Sequence, residues 1–230
     1  TWDRPWRLGD APTLTIGVVD GPEAYQFAAL GSAFRLPDGR IVAANHRGPP
    51  EVRIYDEAGT HERTLGREGA GPGEFRTIFF ADRRGDTIRV YDPATARITR
   101  FSAGGELLGV SAIPGVDGDN AARFVLFPGG PAGGFLGRSN APRPRTTEPG
   151  RHSGRSEVIL TDAAGARRAG PLEIDDGEWE TGAGRPALIL FSPRAVTAST
   201  DSLVYIGSGA DYSIDVYDAD LGLRRRIRWA

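Results

Sequence analysis

The sequence predicts an all-β fold built from repeated four-stranded antiparallel units, and three observations predict it. Short runs either alternate apolar and polar residues, as in Val52-Arg53-Ile54-Tyr55 and Thr87-Ile88-Arg89-Val90-Tyr91, or are apolar throughout, as in Leu203-Val204-Tyr205-Ile206. That period of two belongs to strands with alternating faces. Each run is bounded by Gly, Asp, Pro or Asn, the residues that turn a chain. Finally, the strands recur. Val52–Gly59 aligns with Ile98–Gly105 at an offset of 46, and the pattern returns in Val158–Gly165 and Ile214–Gly222. Each copy is a strand followed by a D-x-x-G-like turn, which a hairpin between antiparallel strands needs.

A second feature keeps a similar period. Thr15-Ile16-Gly17 leading to Phe27 matches Thr64-Leu65-Gly66 leading to Phe75, at spacings of 49 and 48. No segment holds apolar residues at i, i+3, i+4 and i+7 over three turns. Helix is therefore expected only as a turn near Pro22-Glu23-Ala24-Tyr25.

The elements follow in order. A leading strand covers 14–19. In the first unit, 33–65, strand a is Ala33–Leu36, b is Arg40–Asn45, c is Glu51–Tyr55 and d is His61–Leu65. The second unit covers 76–113, the third 123–174 and the fourth 188–229. A four-stranded unit of about 46 residues, repeated, is the signature of a β-propeller blade. One such sheet has two apolar faces and must stack on neighbours to bury both. The expectation is a single propeller domain over 1–230.

Leu65-Gly66-Arg67-Glu68-Gly69-Ala70-Gly71-Pro72-Gly73-Glu74-Phe75 resembles the G-x-x-G-x-G-P-G-x-F segment between blades of NHL-repeat proteins. Leu36–Val42 and Val52–Gly59 resemble the rest of that repeat. The whole chain is similar to six-bladed NHL-like or TolB-like propellers on bacterial exported proteins and lipoproteins. The resemblance implies an exported protein, periplasmic, outer-surface or secreted, with room for a lipoprotein anchor upstream. Four blades and one strand are too few for six, so the expectation is an incomplete ring. A closed four-bladed ring is the alternative.

Composition removes several chemistries. The chain has no Cys, so thiolate metal sites, disulfides and Cys nucleophiles are excluded. All 28 basic residues are Arg, which excludes Walker-type, Schiff-base and cofactor-aldimine lysines. A net charge of −2 argues against a nucleic-acid binder. No apolar run is long enough to span a membrane. Gly69-x-Gly71-x-Gly73 opens a strand rather than a helix, so it is not a phosphate loop. Asp218–Gly222 lacks the twelfth-position Glu of a calcium loop. Arg84-Gly85-Asp86 reads as turn chemistry, and the Arg224–Arg228 run as a solvated edge strand. No G-x-S-x-G, H-E-x-x-H or Ser/His/Asp set is present, and no cofactor is expected.

Loop length marks the candidate site. In a propeller the b–c and d–a connections share one face. The two longest, Asn140–Ser156 and Asp175–Arg185, both fall there, and such loops carry binding in repeat folds. The first contains Arg143, Arg145, Arg151, His152 and Arg155, a pattern suited to an anion or acidic partner. The second contains Asp176, Glu178 and Trp179, suited to a cation or to stacking on a sugar. The bland readings are a solvated Pro/Arg-rich loop and loop acids with a packed Trp. The leading expectation is a non-enzymatic module that recognises a protein, peptide or glycan on this face. The alternative is a metal-dependent, lactonase-like hydrolase or lyase. Its metal would sit at the channel mouth on His46, Asp92 and Asp211, which close b strands on the same face.

Overall fold

The computed structural model describes residues 10–113, 124–139, 148–182, 186–209 and 211–229. These form four antiparallel sheets, with helix confined to short 3₁₀ turns such as Glu23–Tyr25. The first sheet is β1 (Ala29–Arg35), β2 (Ile41–Arg47), β3 (Val52–Tyr55) and β4 (His61–Leu65). The second is β5 (Phe80–Arg84), β6 (Thr87–Asp92), β7 (Arg97–Ser102) and β8 (Leu107–Ala112). The third holds β9 (Phe124–Pro128), β10 (Phe135–Ser139), β11 (Gly150–Thr161), β12 (Arg167–Thr181) and the short β13 (Ala187–Leu188). The fourth is β14 (Ala195–Ser199), β15 (Val204–Ser208), β16 (Ser213–Tyr217) and β17 (Leu223–Arg228). Within each sheet consecutive strands are neighbours, which makes each sheet a blade and the whole part of a β-propeller.

Three apolar clusters fill the three junctions between successive sheets. Val42, Ile54, Phe75, Ile78, Ile88 and Val90 join the first to the second. Phe80, Tyr91, Ile98, Leu126 and Phe135 join the second to the third. Leu136, Val158, Leu160, Val204 and Ile206 join the third to the fourth. Adjacent residues serve opposite junctions: Val90 faces back and Tyr91 forward, Phe135 back and Leu136 forward. That division is the strand period of two, with both faces of the middle sheets buried.

The outer hairpin turns repeat to the atom. The main-chain N–H of Gly59, Gly105, Gly165 and Leu221 donates to the carbonyl three residues earlier. The side chains of Asp56, Ser102, Asp162 and Asp218 each accept from the N–H four residues on. The first three turns place a glycine at positive φ. The fourth places Leu221 there, at φ 61°, where it packs on the third cluster. Gly222 is therefore not the turn glycine that the repeat pattern implied.

Three expectations change. Residues 14–19 form no ladder with any described strand; Leu14 and Ile16 lie against the Gly59 turn, and Val18 N–H donates to the Tyr25 carbonyl at 2.9 Å. Leu188, expected to open the fourth unit, pairs instead with Trp179 in the third sheet. Much of the expected long b–c and d–a loops is strand: β11 runs from Gly150 and β12 continues to Thr181.

The Gly-rich segment before the second sheet is an interlock. Phe75 N–H donates to Arg67 O and Gly69 N–H to Phe75 O, both at 2.9 Å. Glu74 accepts from Gly71 N–H at 2.8 Å and pairs with Arg67. The closure drives the Phe75 ring, fully buried, into the first junction. Gly66 sits at φ 79°, where a Cβ would come within 2.2 Å of that ring, so no other residue fits. Phe75→Ala should destabilise the protein by about 3–5 kcal/mol, the usual cost of emptying an aromatic core site. Urea unfolding would show a lower midpoint at unchanged slope.

Candidate functional site

The feature that sets the third sheet apart is its outer hairpin. The other outer strands have four to six residues, whereas β11 has 12 and β12 has 15. Among the described residues the inner strand β10 pairs with β11 only as far as the Arg138–Val158 pair. Beyond it, Gly150–Glu157 pairs with Glu173–Thr181 as a two-stranded ribbon. Apart from main-chain bonds to the 187–193 segment, the ribbon's anchor is at its base, and the base is ionic.

Asp176 is that anchor. Its side chain is 1% exposed. One carboxylate oxygen accepts from Arg194 Nε at 2.8 Å and from the Ala195 N–H at 3.3 Å. The other accepts from Ser156 Oγ at 2.5 Å and from Arg138. Burial alone would push this carboxyl up. The Ser156 hydroxyl and the two guanidinium groups outweigh it and hold the group below its ordinary value. Arg138 also donates to the Ala195 carbonyl at 2.8 Å. Four segments therefore meet at one carboxylate: β10, β11, β12 and the entry to β14. Gly177, at φ 83°, makes room beside it; a Cβ there would stand 2.9 Å from Arg194 Cδ.

The expected binding residues distribute as follows. His152 Nε2 lies 2.9 Å from Thr181 Oγ1 across the ribbon. Arg155 donates to Glu173 at 2.9 Å and lies 3.9 Å from Asp175. Glu178 stands 3.8 Å from Arg151. Trp179 pairs opposite His152 and covers Gly154, where a Cβ would come within 2.9 Å of its Nε1. Asp176 offers no free carboxylate to a cation, because its lone pairs are committed to protein donors. Arg143 and Arg145 lie outside the described residues.

The three residues proposed for a metal sit in three different sheets or their flanks, each with its own local contact. His46 Nδ1 is 2.7 Å from the Ile78 carbonyl. Asp92 is buried and accepts from the N–H groups of Arg76, Ala94 and Thr95. Asp211 accepts from Ser213 Oγ at 2.7 Å. The described residues contain no group of three His, Asp or Glu that could hold a metal ion. Among them no helix is long and apolar enough to cross a membrane.

Sequence reasoning missed Arg138, Arg194 and Ser156. A signal for the first existed. Arg89 occupies the matching strand of the second sheet, pairs with Asp82, and donates to the Gly133 carbonyl of the third. Arg138 follows it by 49 residues, within the repeat period.

Beside the anchor lies a cleft of about 160 Å³, lined by Val125, Phe127, Arg138, Ser139, Asp176 and Arg194. It opens at the inner edge of the junction between the third and fourth sheets.

A family model described as a six-bladed β-propeller, DUF5128, matches residues 32–119, less than half of the chain. No curated protein matches. Solved structures resemble the chain at low identity. A Bacteroides fragilis protein described as exported aligns at 11% identity and TM-score 0.47, over 94% of this chain and 75% of its own. A streptogramin B lyase aligns at 10% and 0.44, over 87% of this chain and 54% of its own. Virginiamycin B lyase from Staphylococcus aureus aligns at 11% and 0.39, over 86% and 69%. The chain thus spans about half the length of the first of these lyases.

Asp176→Asn should cost about 3–5 kcal/mol at neutral pH, because it leaves two guanidinium groups facing a neutral amide. The wild-type carboxyl is held low, so its contribution is complete above the ordinary carboxylate value and fades as pH falls through the lowered one. The gap between variant and wild type should therefore close in strong acid, as read by denaturant unfolding at the two pH values.

Proposed function

We propose that this chain is a non-enzymatic recognition module of the NHL-like or TolB-like propeller type, binding a protein, peptide or glycan through the β11–β12 ribbon. One observation supports it above others: a single sheet of four carries an outer hairpin two to three times longer than its counterparts, while the hairpin turns elsewhere keep one geometry. Extra length on one unit of a repeat fold is a place for binding. The ribbon presents Arg151, Arg155, Glu173, Asp175 and Glu178 at its surface as mixed charge, suited to a polar partner. Placement outside the cytoplasm is carried over from the sequence resemblance of residues 65–75.

The same reading treats the four sheets as part of a larger ring. Its support is the outward face of the first sheet, where Leu14, Ile16, Phe27, Leu30, Ile41 and Ala43 line an apolar groove of about 300 Å³. On the fourth sheet Val196 is 68% exposed. Sheets with two apolar faces are covered on both in a closed ring.

The test is a triple variant, Arg151→Ala, Arg155→Ala and Glu178→Ala, which changes the ribbon surface and leaves Asp176 untouched. Peptide and glycan arrays probed with both proteins should show ligands held by the wild type and weakened about tenfold or more in the variant. Undiminished binding would remove the ribbon from recognition. Equal thermal stability of the two proteins would confirm that the surface alone was altered.

A further inference from the structure

We infer that the cleft at the inner edge of the third and fourth sheets binds a carboxylate carried beside a short apolar group. This names a ligand chemistry for the recognition module and rests on that reading only for the protein's being a binder.

Two guanidinium groups and one carboxylate line the cleft, so it holds a net positive charge. Asp176 has both oxygens filled by four donors and accepts nothing more. A cation entering the cleft would meet arginine and find no acceptor on that carboxylate. Arg194 is in the opposite condition. Only its Nε is engaged, with Asp176 at 2.8 Å, and its side chain is 49% exposed. Its two terminal amino groups donate to nothing among the described residues. Their direction is already fixed, because Nε is tethered and the stem lies against Gly177. A guanidinium so held presents a fork that matches two carboxylate oxygens, with little further entropy lost on binding. Ser139 adds a hydroxyl whose oxygen already accepts from the Glu157 N–H at 2.7 Å, leaving its proton to donate.

Shape narrows the ligand. Val125 and Phe127 form the apolar wall, and Phe127 is 38% exposed. The volume of about 160 Å³ falls below the roughly 300–1,000 Å³ of pockets that enclose whole small molecules. It therefore takes an end group: one acid with a few carbons, free or at the terminus of something larger.

The probe pair is N-acetyl-leucine and N-acetyl-leucinamide, titrated into the 230-residue chain and followed by amide NMR shifts. They differ only in the carboxylate. The acid should give saturable shifts centred on Arg138, Ser139 and Arg194, and the amide should bind about tenfold or more weakly, as loss of a charged hydrogen-bonding pair requires. Arg194→Gln should weaken the acid to the level of the amide, and Arg194→Lys should recover part of the affinity by restoring charge without the fork. Equal binding of acid and amide, no saturable response, or full affinity in Arg194→Gln would each overturn the inference. The acid–amide comparison uses the wild type alone, so it stands even if a variant is unstable. The ribbon triple variant should bind N-acetyl-leucine unchanged, which separates failure here from failure of the ribbon.

Discussion

A largely buried guanidinium that reaches from one sheet to a main-chain carbonyl of the next sets how the sheets stack. Arg89 spans the second junction to Gly133 and Arg138 the third to Ala195, each steadied by a carboxylate. Apolar contact alone tolerates sliding, since one greasy face fits another in several registers. A hydrogen bond to one carbonyl does not. On the other face of the first sheet Arg53 makes a similar bond to the segment before β1, donating to the Gln26 carbonyl at 2.6 Å with its guanidinium over Phe27. Arg89 likewise lies 4.3 Å from the Phe135 ring centre. Arginine is suited to this place because its planar group stacks on an aromatic ring while its edge donates. The absence of lysine from the sequence thus acquires a structural use at three positions.

The strands and their repeat were legible because local chemistry wrote them. Each outer turn needs an acceptor side chain at its first position and a residue able to take positive φ three places later, so Asp56 and Gly59, or Asp162 and Gly165, announce themselves. The ribbon was not legible. Its inward positions on β11 are Gly154 and Ser156, which keep the period of two with small residues rather than apolar ones. Gly154 is small because Trp179 lies over it, and that cause sits 25 positions away. Residues 14–19 failed in the other direction. Their pattern is that of a strand, but a strand exists only with a neighbour to pair with.

The site shows the same divide between local and distant causes. Asp176 was legible as a charged residue in a long connection, and its role was inverted. Read as an exposed ligand group, it is a buried acceptor that orders Arg138 and Arg194. What decided this was the approach of β10 and of the segment before β14, neither of which leaves a mark near Asp175-Asp176. A carboxylate in a loop-like sequence is usually solvated. Only the convergence of four segments takes this one out of water.

The length of the ribbon has a consequence for how the molecule opens. An isolated pair of strands in water is marginally stable, while a strand inside a blade shares the stability of the whole stack. Among the described residues, the ribbon's outer rungs, Gly150–Ser153 against Glu178–Thr181, gain a third strand only in the two residues of β13. They belong to the part of the protein that can unzip before the stacked sheets open, down to the rungs that the Ser156–Asp176 side-chain bond ties across the ribbon. The Asp176 knot is then a boundary between two regimes of amide exchange. On one side lies local fraying, and on the other the global unfolding of the stacked sheets.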